Sequence, residues 1–315
     1  MERPDFAIPI ADNGYAWWYV DAVSDDGCHA LTVIAFVGSV FSPYYARARR
    51  RAAASGSRAN PEDHVAINAV LYGPRGKRWA MTERGAAALQ RSRDQFRASA
   101  SEWRWENDGL TIDVNEIGVP WPRRLRGQLR LVPQALNEQR FELAAAGQHT
   151  WQPFAPRARV EVRFSQPELS WSGAGYLDGN RGDTPLSDAF RRWHWSRLTS
   201  PERTEIVYDL QPREGSAWSM ALQTTADGRL VRVCDRHKVA LSTTGWRVQR
   251  QAPAGTRLTR TLEDTPFYAR SAISGRLAED RGHGVHESLD LDRLRSRWVN
   301  LLLPFRMPRR AGASG

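Results

Sequence analysis

The chain has 315 residues, about two domains' worth, and with 41% apolar and 25% charged residues it is too apolar for a disordered polymer. No opening signal peptide is visible, and the longest apolar run, residues 30–40, is about half of what a spanning helix needs, which argues against membrane insertion. A net charge of +10 favours an acidic partner, nucleic acid or an anionic membrane surface, or else reflects only the surface habit of an arginine-rich proteome; the arginines and tryptophans are scattered without a nucleic-acid-reading motif, so nucleic acid is not expected.

Cys28 and Cys234 stand far apart and match no metal spacing, so two reduced, buried thiols are expected. Residues 15–40 read as a hairpin of aromatic and β-branched arms around Asp26-Gly27. Residues 41–63 read as a long loop carrying the basic cluster Arg47 to Arg51. Strands return at 64–72 and 77–82, across the turn Gly73-Pro-Arg-Gly76. Residues 84–98, rich in Ala, Gln and Arg, have helical composition. Trp103-Arg-Trp105, Asn107-Asp108-Gly109 and the alternating run 110–116 form a second hairpin signal, and 125–132 is another strand.

The Ala-, Gly- and Pro-rich stretch 144–158 suggests a boundary, giving an N-terminal domain 1–152 and a C-terminal domain 153–315. Beyond it, strands are expected at 159–164, 204–210, 218–223, 229–234, 259–262 and 267–274. Short strands with turn signals every 8–12 residues or so argue for an all-β fold of sandwiches or barrels. Both halves open on aromatic strands and contain an Asp-Gly hairpin, which hints at two similar β-barrels in tandem. The tail 291–310 is short, apolar and basic; it reads as a last strand or helix, or as an interfacial anchor.

The most informative stretch runs from Trp171 through Tyr176, Asp178 and Asn180 to Trp193, His194 and Trp195. Tyr176 and Asp178 are two apart, so on a strand their side chains share a face. His149 and Trp151 repeat that spacing. Each pair sets a proton carrier beside an aromatic face. The plain alternative is a linker histidine and an aspartate capping a turn before Gly179. His283-Gly-Val-His286 is the only close histidine pair, and with no Cys or acid at ligand spacing it makes a poor metal site. No phosphate loop, dinucleotide fingerprint or Gly-x-Ser-x-Gly elbow is present.

Several longer motifs carry a resemblance: Gly14-Tyr-Ala-Trp17-Trp18-Tyr19-Val-Asp21, the run Phe36 to Tyr45, Gly173-Ala-Gly-Tyr176-Leu-Asp178-Gly-Asn180-Arg-Gly182-Asp-Thr-Pro185, and Trp193-His-Trp195-Ser-Arg197. Over residues 10–280, roughly, the chain resembles the carotenoid 1,2-hydratases, also called hydroxyneurosporene synthases. The resemblance implies two tandem lipocalin-like barrels, no metal or organic cofactor, and water addition to the terminal C1=C2 bond of acyclic carotenes such as neurosporene and lycopene. The family's His-x-Trp and Tyr-x-Asp pairs fall on His149/Trp151 and Tyr176/Asp178. On that footing Asp178 is the expected general acid, with His149 sharpening it or deprotonating water and Tyr176 positioning water. Keeping such a carboxyl neutral through a shift of about 3 pH units corresponds to about 4 kcal/mol of desolvation. Trp151, Tyr176 and Trp195 offer π faces to a cation, on the order of 2 kcal/mol each when desolvated. Trp17, Trp18, Trp171, Trp193 and Trp195 are the expected lining of the substrate pocket. The expected setting is cytoplasmic, peripheral to the inner photosynthetic membrane. The rival is a non-catalytic lipocalin-like carrier of a polyene or other lipid.

Overall fold

The computed structural model describes residues 3–144, 147–225, 227–234 and 236–310. Alternating aromatic and β-branched runs make almost all of it strand. The chain falls into two compact units, residues 1–185 with 301–315, and residues 186–300.

The first unit contains β1 (Tyr15–Ser24), β2 (Ala30–Val37), α1 (Pro43–Ala54), β3 (Val65–Gly73), β4 (Gly76–Arg84), β5 (Leu89–Arg91), β6 (Gln95–Ala98), β7 (Ser101–Glu106), β8 (Gly109–Ile117), β9 (Arg124–Pro133), β10 (Phe141–Glu142), β11 (His149–Gln166) and β12 (Glu168–Gly182). They form one antiparallel sheet in the order β4-β3-β2-β1-β12-β11-β9-β8-β7-β6-β5, with β10 beside β11. The expected hairpin at Asp26-Gly27 joins β1 to β2, with Gly27 at φ +68° where only glycine sits without strain.

Side chains alternate across this sheet. One face carries Trp18, Val20, Val33, Ile67, Trp103, Ile112, Leu129, Val160 and Leu177, all buried in one apolar core. Phe6, from the segment before β1, plugs it and meets Trp18 at 5.1 Å and Trp103 at 6.3 Å between ring centroids. The sheet nearly closes on this core. Arg84 at the end of β4 reaches across to Glu116 on β8, and its Nη2 donates to the two carboxylate oxygens at 3.0 and 2.8 Å. Ser101 Oγ donates to the same carboxylate at 2.7 Å.

Four expectations change. Residues 41–63 hold a helix rather than only a loop: Ser42 Oγ caps α1 by accepting from Tyr45 N at 2.8 Å, and Pro43 opens it. The helical composition of 84–98 gives way to β5 and β6, because Phe96 and Ala98 alternate into the apolar core and burial outweighs intrinsic propensity. The boundary expected at 152/153 falls inside β11, whose pairing with β12 continues on both sides of it. Cys28 and Cys234 are free, as expected, but exposed.

The second unit contains α2 (Leu186–Ala189), β13 (Phe190–Thr199), β14 (Thr204–Pro212), β15 (Trp218–Thr224), β16 (Leu230–Val233), β17 (Lys238–Leu241), β18 (Arg250–Pro253), β19 (Arg257–Asp264), β20 (Tyr268–Leu277), β21 (Asp280–Asp290) and α3 (Leu291–Arg295). Seven strands pair in the order β16-β15-β14-β13-β21-β20-β19, and β17 and β18 form a separate hairpin. A buried chain of hydrogen bonds runs across one face: His194 Nδ1 to Ser288 Oγ at 2.9 Å, Ser288 Oγ to His286 Nε2 at 2.9 Å, and His286 Nδ1 to Ser196 Oγ at 2.8 Å. Burial holds the His194 imidazole down at about 4, with a smaller push from Arg192, and drives His286 well below its ordinary value. Of the two histidines in the weak His-x-x-His signal, His286 is therefore a neutral interior group and His283 is exposed. α4 (Arg297–Leu302) follows, and a 3-10 turn at Leu303–Phe305 comes after it. Among the described residues no helix is long and apolar enough to cross a membrane.

Candidate functional site

The second face of the first sheet, opposite the apolar core, is where the expected chemistry gathers. The register sets it. Tyr15, Trp17, Tyr19 and Asp21 of β1 stand opposite Gly182, Asn180, Asp178 and Tyr176 of β12, and on the other side of β12 His149 and Trp151 stand opposite Gly182 and Asn180. Period-two alternation brings all of these side chains out on one face.

Asp178 is the centre. It is 3% exposed, and its Oδ2 accepts from Trp151 Nε1 at 2.8 Å and from Tyr176 Oη at 2.7 Å. An indole N–H only donates, so Oδ2 is committed as an acceptor. A proton on this carboxyl therefore rides on Oδ1. The expected i, i+2 pairs thus meet around one carboxyl: Tyr176 from its own strand and Trp151 from the neighbour. His149 is fully buried, but its nitrogens serve other partners. Nδ1 lies 2.9 Å from Tyr15 Oη, and Nε2 lies 3.2 Å from Thr184 Oγ1. Burial, with a smaller contribution from the Asp183 charge, raises the Tyr15 phenol well above its ordinary value, so it keeps its proton and donates to Nδ1. Nε2 then carries the imidazole hydrogen toward Thr184. Gly182 makes this meeting possible: a Cβ there would lie 2.4 Å from His149 Nδ1 and 2.6 Å from the Tyr15 ring.

Aromatic rings extend the face on both sides. Trp17 stacks on Tyr15 at 5.1 Å and meets Phe36 at 6.1 Å, while Phe141 packs on Trp151 at 5.4 Å. Of the tryptophans expected to line the pocket, Trp17 is on this face. Trp18 and Trp171 have the opposite parity and pack in or against the apolar core. Trp193 and Trp195 belong to β13 of the second unit, where Trp193 packs between Phe190 and Tyr208 at 5.2 and 5.3 Å.

Three features went unnoticed in the sequence. Tyr15 and Thr184 hold His149. Tyr19 and Asp21 form a second buried Tyr-x-Asp pair, with Tyr19 Oη donating to Asp21 Oδ2 at 3.1 Å and the Tyr19 and Tyr176 rings edge to face at 6.1 Å. The signal for it was present, since Tyr19-Val20-Asp21 repeats Tyr176-Leu177-Asp178. The third is Asn180, two residues beyond Asp178 on the same face and 4% exposed; neither of its amide atoms has a hydrogen-bond partner among the described residues. A cavity of about 110 Å³ opens chiefly on the other, core-side face, lined by Ile8, Trp18, Gln152, Phe154 and Gly179, with Trp17 and Asn180 at its border.

The family model for "Carotenoid hydratase CrtC" matches residues 33–314. The acyclic carotenoid 1,2-hydratase of Thiocapsa roseopersicina is 50% identical over 314 residues, covering 98% of this chain and 76% of that protein. That of Rubrivivax gelatinosus is 45% identical over 313 residues, with the same coverage. That of Cereibacter sphaeroides is 36% identical over 287 residues, covering 90% of this chain and 99% of that protein. Among solved structures, a putative AttH from Nitrosomonas europaea aligns with TM-score 0.60 and 13% identity over 88% of this chain and 92% of its own. CghA in complex with Sch210972 aligns with TM-score 0.54 and 14% identity over 91% and 94%. At such identities these two speak for the fold alone.

Proposed function

The chain belongs to the carotenoid hydratase family, and we propose that it works as a hydro-lyase on acyclic carotenoids, adding water to their terminal C1=C2 bond with Asp178 as the proton donor. The observation that carries the mechanism is the buried Asp178 carboxyl, anchored through Oδ2 by Trp151 and Tyr176 among aromatic rings. The Asp178 Oδ1 proton goes to C2, the less substituted carbon, and leaves a tertiary cation at C1. Water then closes on C1.

Protonating an unactivated alkene needs an acid that is neutral when the substrate arrives. Two donors on Oδ2 favour the anion, whereas burial and a nearby second carboxylate oppose it. Asp21 supplies that second carboxyl, diagonally across the strand pair at about 7–8 Å in ordinary sheet geometry. The rings of Trp151, Tyr176 and Trp17 face the cation, each contributing on the order of 2 kcal/mol in a desolvated site. His149, tied to Tyr15 and Thr184, fixes the end of β11 from which Trp151 reaches Asp178. Addition of water is redox-neutral, so a proton and a water suffice. Purified protein incubated with lycopene or neurosporene in detergent, with no cofactor added, is expected to yield a product heavier by one water. Bound but unchanged carotene would leave the lipocalin-like carrier as the better reading.

The fold that goes with this reading is a tandem of two lipocalin-like domains, one per sheet; it is supported by each unit building its own antiparallel sheet. An experimental structure in which the second sheet stays open and flat would refute it. A peripheral seat on an anionic, cytoplasm-facing membrane surface also belongs to the proposal. Its support is the segment 297–306, where Trp298, Leu301 and Phe305 are exposed between Arg297 and Arg306. Binding to anionic vesicles is expected to weaken in high salt and in Leu301→Ser/Phe305→Ser; equal binding by that variant would remove this segment from the contact.

A further inference from the structure

Among the described residues of the site, Asn180 is a side chain whose hydrogen-bonding capacity is unspent. It sits on β12 between Asp178 and Gly182, opposite Trp17 on one side and Trp151 on the other. It is buried, and both amide atoms lack a hydrogen-bond partner among the described residues. A buried amide in that condition costs about 1–3 kcal/mol unless water or a ligand satisfies it. Successive side chains on one strand face stand about 6–7 Å apart, the distance at which an acid and a water flank a two-carbon unit between them.

We infer that Asn180 holds the water that becomes the product hydroxyl. This rests on the reading of Asp178 as the acid. Asn180 Oδ1 accepts one O–H of the water, which leaves the oxygen lone pairs facing C1. The Asp178 O–H bond breaks and the alkene π pair forms the C2–H bond, leaving C1 cationic. A water lone pair forms the C1–O bond. One O–H bond of that oxygen then breaks, its electron pair stays on oxygen, and the proton passes to the Asp178 carboxylate. The acid is thereby restored and nothing is oxidised or reduced. Asn180 acts on the water, not on the carotenoid, so its loss separates protonation from capture.

The test runs in D2O with lycopene and the full chain, measuring hydrate formed and deuterium gained by recovered carotene. A cation that is not captured returns to alkene by losing a hydron from C2 or a methyl group, so protonation without hydration leaves deuterium in the substrate. In Asn180→Leu hydrate formation is expected to fall about 100-fold, as for a misplaced reactant, while exchange persists. The ratio of exchange to hydration therefore rises at least tenfold, and the melting temperature does not fall. Asn180→Ala removes the same two amide atoms without bulk and carries the same expectation should the leucine variant misfold. An unchanged ratio in a folded variant, whether both rates stay or both drop together, overturns the inference. Asp178→Asn reports separately: it should lose exchange and hydration alike, and an Asp178→Asn protein that keeps both overturns the acid assignment instead.

Discussion

Asp178→Asn is expected to fold normally and to lose hydration by about 10³-fold or more, within the range that a positioned general acid contributes. Asparagine is the sharpest replacement because it preserves what the structure shows. Its Oδ1 can occupy the place of the carboxylate Oδ2 and accept from Trp151 and Tyr176 as before, at 2.8 and 2.7 Å in the parent. Only the acidic proton is lost. Far-UV circular dichroism and melting check the fold, and product analysis by mass checks the rate. Asp21→Asn makes the comparison informative. It removes the second carboxyl and leaves the Asp178 proton donor in place, so its loss should be smaller, about 10-fold. Hydration by Asp178→Asn within tenfold of the parent would take the proton from another group and dissolve the mechanism. Equal losses in the two variants would mean that neither carboxyl acts alone and that the pair titrates as a unit.

What the sequence made legible follows from period two. Tyr176/Asp178 and His149/Trp151 are both i, i+2 pairs, and a strand turns that spacing into a shared face without any knowledge of the fold. Hairpins with an Asp-Gly or Asn-Asp-Gly turn were legible for the same local reason. What needed register was hidden. Trp17 and Trp18 are neighbours, so one must face the site and the other the core, and only the pairing of β1 with β12 says which. Trp171 differs in parity from Tyr176, a fact visible only once both are known to lie on one continuous strand, β12. Tyr19 and Asp21 lie more than 150 positions from Tyr176 and Asp178 and face them only because β1 and β12 are adjacent and antiparallel. The segment 84–98 misled because alanine and glutamine favour helix locally, while Phe96 is claimed by a core assembled from distant strands.

Glu116→Ala should be the most damaging single change away from the site, lowering stability by about 3–5 kcal/mol. Strand β4 forms one edge of the long sheet and β8 lies seven places along the order from it, so no ladder joins them. The Arg84–Glu116 ion pair spans that gap at 2.8 Å, and both side chains are nearly or fully buried. Burial raises the Glu116 carboxyl above its usual range, opposed by the Arg84 charge and by the hydrogen bonds of Arg84 and Ser101. Truncating the acid leaves a guanidinium in an apolar interior with only the Thr82 carbonyl, at 3.1 Å, among its remaining described acceptors. For a unit of this size the expected drop in melting temperature is roughly 10 °C. The double change Arg84→Met/Glu116→Leu removes both charges together and should recover most of that loss, since apolar packing replaces buried ion pairs at little cost. Calorimetry on the parent and both variants decides the matter. A Glu116→Ala protein melting within 2 °C or so of the parent, against the cost expected for an orphaned buried charge, would show that the apolar core alone closes the sheet. A double variant no better than Glu116→Ala would show instead that closure depends on the geometry of this pair. The same strands that the clasp gathers, β4 through β1, present Tyr15 to Asp21 on their far side. Hydration by Glu116→Ala should therefore track its folded fraction and recover with the double variant, separating a loss of scaffold from a loss of chemistry.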